Sequence, residues 1–424
     1  MALFKKIFAN SLVKLSSLNT LNIGIRILAG LISSKMIALF IGPGGMALTG
    51  SLRNFLSSVD AFSMLGMQNG IIKYTAEYER QRENLYKSLA TSFLVVGVAV
   101  VICLLVLVGP AAYLSQWVFN GTDEYAWVFR ILGIALPFYT GGILFMSVLN
   151  GLGRYKKVIL LNLAANIGGV ALSAILIWQY NIKGAFLGLI LSPVILCFFS
   201  FYPLYRLLGG FHFLHKKYFS IPILKSLASY SLMALFTAIM APFVFISIRN
   251  MIIDNHGADE AGYWEAVNRI SVFYLMFVTT LLTVYFLPQL SKGTTIQHTK
   301  SIFRSYYKII VPVFGAGLVA VYLLRYFIIG LLFSDNFLPM HKLFAWQLAG
   351  DFFKVCSLIL GQEFFAKKMI KAYLATEVFS FAILYTGCAL LIPDYGSEGA
   401  VMAHMFTYFV YFVVLAFIFR KKLF

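Results

Sequence analysis

A chain of 424 residues in which 60% of the side chains are hydrophobic and only 12% are charged is not a soluble protein, because soluble domains carry about a quarter charged residues. Its formal charge of +18 is scattered over many short segments, which excludes a nucleic-acid-binding surface, and no polar stretch is long enough to form a soluble domain. An integral membrane protein remains.

The opening stretch, MALFKKIFANSLVKLSSLNT, reads as an amphipathic cytoplasmic start and not a cleavable signal peptide, since Lys14 interrupts its apolar run and no small-residue cleavage pattern follows. Apolar runs long enough for a hydrocarbon core about 30 Å thick then recur near residues 15–41, 46–72, 88–114, 125–149, 158–180, 184–206, 226–250, 262–288, 306–332, 343–365, 373–393 and 398–419. They are continuous and do not alternate with a period of two, so they predict helices and not barrel strands. The expected fold is all-α, with about twelve transmembrane helices.

Lys and Arg sort onto one side of these spans. Lys5, Lys6, Lys73, Arg80, Arg154, Lys156, Lys216, Lys217, Lys300, Lys367, Lys368 and Arg420 are among 23 on that side, against Lys183 and Lys342 on the other. The asymmetry predicts both termini in the cytoplasm. Basic loops at an anionic leaflet account for most of the net charge, and membrane lipids are the expected surroundings.

The polar stretch LLGGFHFLHKKYFSIP lies at mid-chain and predicts a division into a six-helix lobe over 1–207, a cytoplasmic linker over 208–222 and a second six-helix lobe over 223–424. GMALTGSLR, ending at Arg53, echoes GYWEAVNR, ending at Arg269. From Arg53 to Arg154 is 101 residues and from Arg269 to Lys367 is 98. Two parallel repeats are the arrangement in which transporters commonly place a site between lobes.

No phosphate loop, H-E-x-x-H, G-x-S-x-G or magnesium-holding acidic pair occurs, so an enzyme and ATP-driven transport are not expected, and no cofactor is implied. Cys103, Cys197, Cys356 and Cys388 stand singly in apolar runs and read as packing residues. IGPGG, ending at Gly45, reads as a turn between helices and not an anion cradle. His212 and His215 read as interfacial residues, with no further ligands nearby.

The informative residues are charges inside the spans, each costing about 2.5–3.5 kcal/mol near the bilayer centre on insertion scales. Lys14, Arg130, Arg249 and Arg325 lie near expected helix ends, where long side chains reach headgroups. Lys35, Arg53, Asp60, Arg269, Asp351 and Lys354 lie farther inside and point to a water-filled interior. Asp351 and Lys354, three residues apart, fall on one helical face and are expected to neutralise each other.

The segments SSKMIALFIGPGGMAL, NGIIKYTAEY, GYWEAVNRIS, YFLPQLSK, LFAWQLAGDFFKV and AKKMIKAYLATEVFS resemble those of the Wzx-type polysaccharide flippases, including those serving enterobacterial common antigen and O-antigen assembly. These belong to the multidrug/oligosaccharidyl-lipid/polysaccharide exporter (MOP) superfamily. The resemblance covers essentially the whole chain. It implies a V-shaped transporter of two six-helix lobes, alternating access, a bacterial inner-membrane location, and a short oligosaccharide on undecaprenyl pyrophosphate as cargo. A glycan polymerase and a chain-length regulator are candidate partners. Arg269 and Glu265 depart from the family pattern, so the resemblance does not carry them over as site residues.

That cargo suits the residues. Its pyrophosphate and hydroxyl groups cannot cross hydrocarbon unaided, whereas Arg and Lys pair with phosphate oxygens through charge-assisted hydrogen bonds. The expected substrate-binding cations are Lys35, Arg53, Arg269 and Lys354, with Arg26 and Arg249 as further candidates. Asp60 and Asp351 are the candidates for gating or for proton or sodium coupling. Trp264 and Trp346 are candidates for stacking on sugars, with packing or interfacial anchoring as the alternative. A drug or metabolite antiporter of the same superfamily would favour an acid-rich interior. A membrane glycan polymerase or glycosyltransferase would need a large non-cytoplasmic loop.

Overall fold

A computed structural model describes residues 11–228, 231–292, 295–367 and 369–423; Lys5, Lys6 and Lys368 of the basic set lie outside them. The regular elements among the described residues are helical. Contacts divide the chain into two compact units, one of residues up to Phe40 with Leu52–Pro242, the other of Ile41–Ser51 with the chain from Phe243 onward. These boundaries differ from those expected at 207 and 223. The start of the second helix groups with the C-terminal unit, and residues 223–242 group with the N-terminal one.

The elements run α1 Ser11–Phe40, α2 Gly42–Ser63, α3 Gln68–Glu77, α4 Arg82–Val108, α5 Ala111–Val118, α6 Ala126–Gly151, α7 Tyr155–Leu208 and α8 Ile221–Ala228. They continue with α9 Ser231–His256, α10 Ala258–Leu281, α11 Leu287–Lys292, α12 Ile296–Leu323, α13 Arg325–Leu332, α14 Phe344–Ala366, α15 Ile370–Ile418 and α16 Arg420–Leu423. Among the described residues, seven helices are long and apolar enough to cross a membrane. Leu105 on α4 and Leu390 on α15 are 64% and 73% exposed, as side chains covered by lipid are. The helices α2 and α10 fall short of that apolarity because they carry the charges that matter, Arg53 and Asp60 on one, Glu265 and Arg269 on the other.

Two of the seven, α7 and α15, are 54 and 49 residues long, well beyond one crossing. Each is interrupted once, by Asn181 (φ 49°, ψ −123°) and by Gly396 (φ 58°, ψ −134°). Three residues after each interruption stands a glycine whose missing β-carbon leaves room for a backbone carbonyl, Gly184 against Leu176 and Gly399 against Leu391. Asn and Gly are the residues that enter positive φ at least cost. The separation from Asn181 to Gly396 equals that from Gly184 to Gly399, so the turn recurs as a unit in both halves.

The stretch expected as a linker is folded onto the N-terminal unit. Phe213 is 1% exposed and packs edge-on to Phe93 of α4 at 5.1 Å, while Phe211 meets Phe145 of α6 and Phe201 and Tyr205 of α7. The Ser220 amide donates to Thr91 Oγ1 at 3.0 Å. Phe211 and Phe213 thus anchor a segment that also carries His212, His215, Lys216 and Lys217.

Candidate functional site

The polar groups of the C-terminal unit gather into two clusters. The first is built on α14, where Gln347, Asp351 and Lys354 recur at helical spacing and share a face. Asp351 is fully buried, so its carboxylate requires partners. Oδ2 accepts from Ser271 Oγ at 2.6 Å, from the Tyr274 hydroxyl, and from Gln347 Nε2 at 3.3 Å. Oδ1 faces His404 Nε2 of α15 at 3.1 Å. Gly350 makes that approach possible, since a β-carbon there would enter the His404 ring. Lys354 is half-buried and lies over the Tyr408 ring at 4.9 Å. The expected neutralisation of Asp351 by Lys354 is therefore not a direct pair. Asp351 is satisfied by α10 and α15, which leaves the ammonium to an aromatic face.

The second cluster holds two of the expected substrate-binding cations. Arg249 and Arg269 were candidates for substrate contact, yet they are only 1% and 4% exposed and both are committed to Glu265. Arg249 Nη2 donates to Glu265 Oε2 at 2.5 Å and Arg269 Nε to Oε1 at 3.1 Å. Arg249 Nη1 reaches Ser51 Oγ at 3.2 Å, and Arg269 Nη2 reaches Thr49 Oγ1 at 3.3 Å. Arg249 does not extend to a headgroup from its helix end, because the neighbouring acid of α10 holds it inside. Its guanidinium also lies over Trp264, 5.3 Å from the ring centroid. Trp264 is itself buried against Phe245, so it packs and has no face open to a sugar. Trp346 donates to Glu398. Gly44 lies in the first turn of α2, so most of IGPGG opens that helix and only Ile41 is turn; its amide donates to Asp259 Oδ1 at 3.0 Å, which ties the start of α2 to the start of α10.

In the N-terminal unit, Arg26 is exposed, and Lys35, Arg53 and Asp60 are intermediate in exposure. The Asp60 side chain lies beside the buried Tyr139 hydroxyl of α6. Arg130 is exposed, and Arg325 rests between the Tyr322 and Tyr326 rings while donating to the Tyr322 carbonyl at 2.8 Å. The four cysteines are free thiols, three of them buried, as packing residues are. No group of three metal-binding side chains occurs among the described residues.

The family profile described as polysaccharide biosynthesis protein matches residues 12–294. The chain belongs to that family. Among its curated relatives, the Lipid III flippase of Escherichia coli (strain K12) is 32% identical over 95% of this chain and 96% of its own length. The chain shares its fold with solved transporters of the MOP superfamily. An inward-facing multidrug resistance MATE family transporter superposes with a TM-score of 0.80 at 14% identity, over 94% of this chain and 95% of its own. The lipid II flippase MurJ in an inward closed conformation gives 0.73 at 14% identity, over 96% and 87%. This member of the polysaccharide biosynthesis family is accordingly a multi-pass membrane transporter and not an enzyme.

Sequence reasoning missed the partners of these charges in this family member. His404, Ser271, Tyr274 and Gln347 were not singled out, because attention to formally charged residues passes over a neutral histidine and hydroxyl groups. A signal existed, since His404 stands within the apolar run AVMAHMFTYF, and a histidine there needs a partner as an acid does.

Proposed function

We propose that the chain flips undecaprenyl-pyrophosphate-linked oligosaccharide from the cytoplasmic to the periplasmic leaflet of the bacterial inner membrane, in common-antigen or O-antigen assembly. The observation carrying this reading is the end-to-end similarity to a Lipid III flippase. Twelve spans in two repeats, both termini cytoplasmic and alternating access complete it, with a polymerase and a chain-length regulator as partners. The repeated turns at Asn181 and Gly396 support the two repeats.

Lys35, Arg53 and Lys354 are the proposed headgroup contacts, because each retains some exposure. Arg26 guides the approach. Arg249 and Arg269 add background positive potential, being occupied by Glu265. Asp60 and Asp351 are the proposed gating and ion-coupling acids. The headgroup neutralises repulsion among the cations and favours the state that binds it better, as any ligand-driven shift requires. An inside-negative potential favours outward movement of negative charge by about 2.3 kcal/mol per charge per 100 mV.

The test is flipping of defined lipid-linked oligosaccharides by the purified chain in vesicles. Lys35→Ala and Arg53→Ala are expected to reduce the initial rate at normal protein level. Full rates in both variants contradict the cationic contacts, and absence of flipping by the folded wild type contradicts the function.

A further inference from the structure

Asp351 and Lys354 lie one turn apart on α14, and His404 and Tyr408 one turn apart on α15. The two helices therefore meet on two rungs. One joins Asp351 to His404 at 3.1 Å, and the other sets Lys354 over the Tyr408 ring at 4.9 Å. The first rung is an ionisable pair, and the second carries a cation proposed to meet the anionic headgroup.

The hydrogen bonds fix where a proton fits. Asp351 Oδ2 already takes donors from Ser271, Tyr274 and Gln347, so among the described contacts Oδ1 is the oxygen that shares a proton with His404 Nε2. A further proton goes to the imidazole Nδ1 and converts the pair to carboxylate and imidazolium. The cluster is also short of a donor, because Gln347 Oε1 is buried without a hydrogen bond. The Gln347 amide nitrogen stands 3.5 Å from His404 Nε2. A metal cation fits less well, since N–H and O–H donors already point at the carboxylate.

The other ionisable groups facing the pair are few. Tyr274 comes from α10, whose Arg269 is held by Glu265. The helix α12 contributes Tyr306 and Tyr307, whose hydroxyls donate to the carbonyls of Val355 and Cys356. On α15, Glu377 takes a hydrogen bond from Tyr411 at 3.1 Å and acts on Lys354 electrostatically. With Asp351 and Glu377 anionic and Lys354 cationic, protonating His404 raises the cluster from net negative to neutral.

We propose that the Asp351–His404 pair is a proton-binding site and that its proton strengthens the grip of Lys354 on a diphosphate anion; the second half rests on the flippase reading. An imidazolium satisfies Asp351, weakens the pull of that carboxylate on Lys354 and adds positive charge one turn away. Linkage is reciprocal, so binding the anion takes up protons.

The test uses the full-length protein in detergent and farnesyl diphosphate as probe. Binding is measured calorimetrically at pH 5.5 and 8 in buffers of different ionisation enthalpy. The probe itself titrates, so the quantity read is the difference between wild type and His404→Gln. Wild type is expected to take up the larger fraction of a proton and to gain about five- to tenfold more affinity at low pH. The ¹³C resonance of His404, assigned by its loss in His404→Gln, is expected to shift in Asp351→Asn, where the carboxylate that faces the ring is gone. Lys354-dependent binding with the same pH profile in wild type and His404→Gln overturns the linkage and leaves the flippase reading standing. Binding unaffected by Lys354→Gln, with the resonance shifting as expected, overturns the headgroup contact and leaves the proton site. A His404 resonance that ignores Asp351→Asn overturns the site. Sodium ions replacing low pH at constant ionic strength, lost in Asp351→Asn, overturn the proton in favour of a metal cation.

Discussion

Gly50 lies so close to the Glu265 carboxyl group that no β-carbon fits between them. Its neighbours Thr49 and Ser51 reach the two arginines that Glu265 holds. Glycine is required here by proximity, since Gly50 sits inside α2 with no positive φ. Gly50→Ala is therefore expected to push Glu265 off its partners and cost about 3 kcal/mol, read as a lower thermal midpoint in detergent.

Glu265→Gln tests the same cluster from the other side. It leaves two buried guanidinium groups beside a neutral amide, and removing one partner of a buried ion pair costs about 3–5 kcal/mol. Adding Arg269→Gln removes one of the stranded charges. The double variant is expected to recover about 1–3 kcal/mol relative to additivity. Strictly additive midpoints from unfolding in detergent would show that the two residues are not coupled.

The membrane class, the helical fold and the positions of the intramembrane charges were legible in the sequence because each is a property of one segment. Partner choice was not. Asp351 and Lys354 are adjacent on a helical face, and spacing alone suggests that they pair, yet Asp351 is satisfied by Ser271, Tyr274 and His404 from two other helices. Arg249 looked like a residue at a helix end, and only the position of Glu265 on the next helix explains why it stays inside. The polar mid-chain stretch read as a linker because its charges outweigh three residues, and the aromatic side chains of Phe211 and Phe213 decide its packing.

Phe213 makes that packing testable. Its ring is buried among Phe93, Phe211 and Tyr86, so Phe213→Ala opens a cavity and is expected to cost about 3–5 kcal/mol. His212→Ala beside it removes a side chain that faces Gly210 and is expected to stay within about 0.5 kcal/mol, as surface substitutions do. Limited proteolysis at Lys216 and Lys217 reads the same difference locally, with faster cleavage in Phe213→Ala alone.

The recurring turns at Asn181 and Gly396 give the last expectation, because a repeated device should fail in the same way in both halves. Each turn has one position of positive φ and one of close approach. At the first kind, Asn181→Gly should be neutral, whereas Asn181→Val and Gly396→Val force a branched side chain into the left-handed region at about 1–2 kcal/mol each, to which Gly396→Val adds crowding of the His256 ring. At the second kind, Gly184→Ala and Gly399→Ala drive a methyl group into the carbonyls of Leu176 and Leu391. Backbone does not yield as a side-chain tip does, so about 3 kcal/mol or more is expected at each. Thermal midpoints of the four variants, measured in one detergent, should match for Gly184→Ala and Gly399→Ala and lie lower for Gly396→Val than for Asn181→Val. A large loss at Gly184 with none at Gly399 would mean that the two turns share a backbone shape without sharing a packing role.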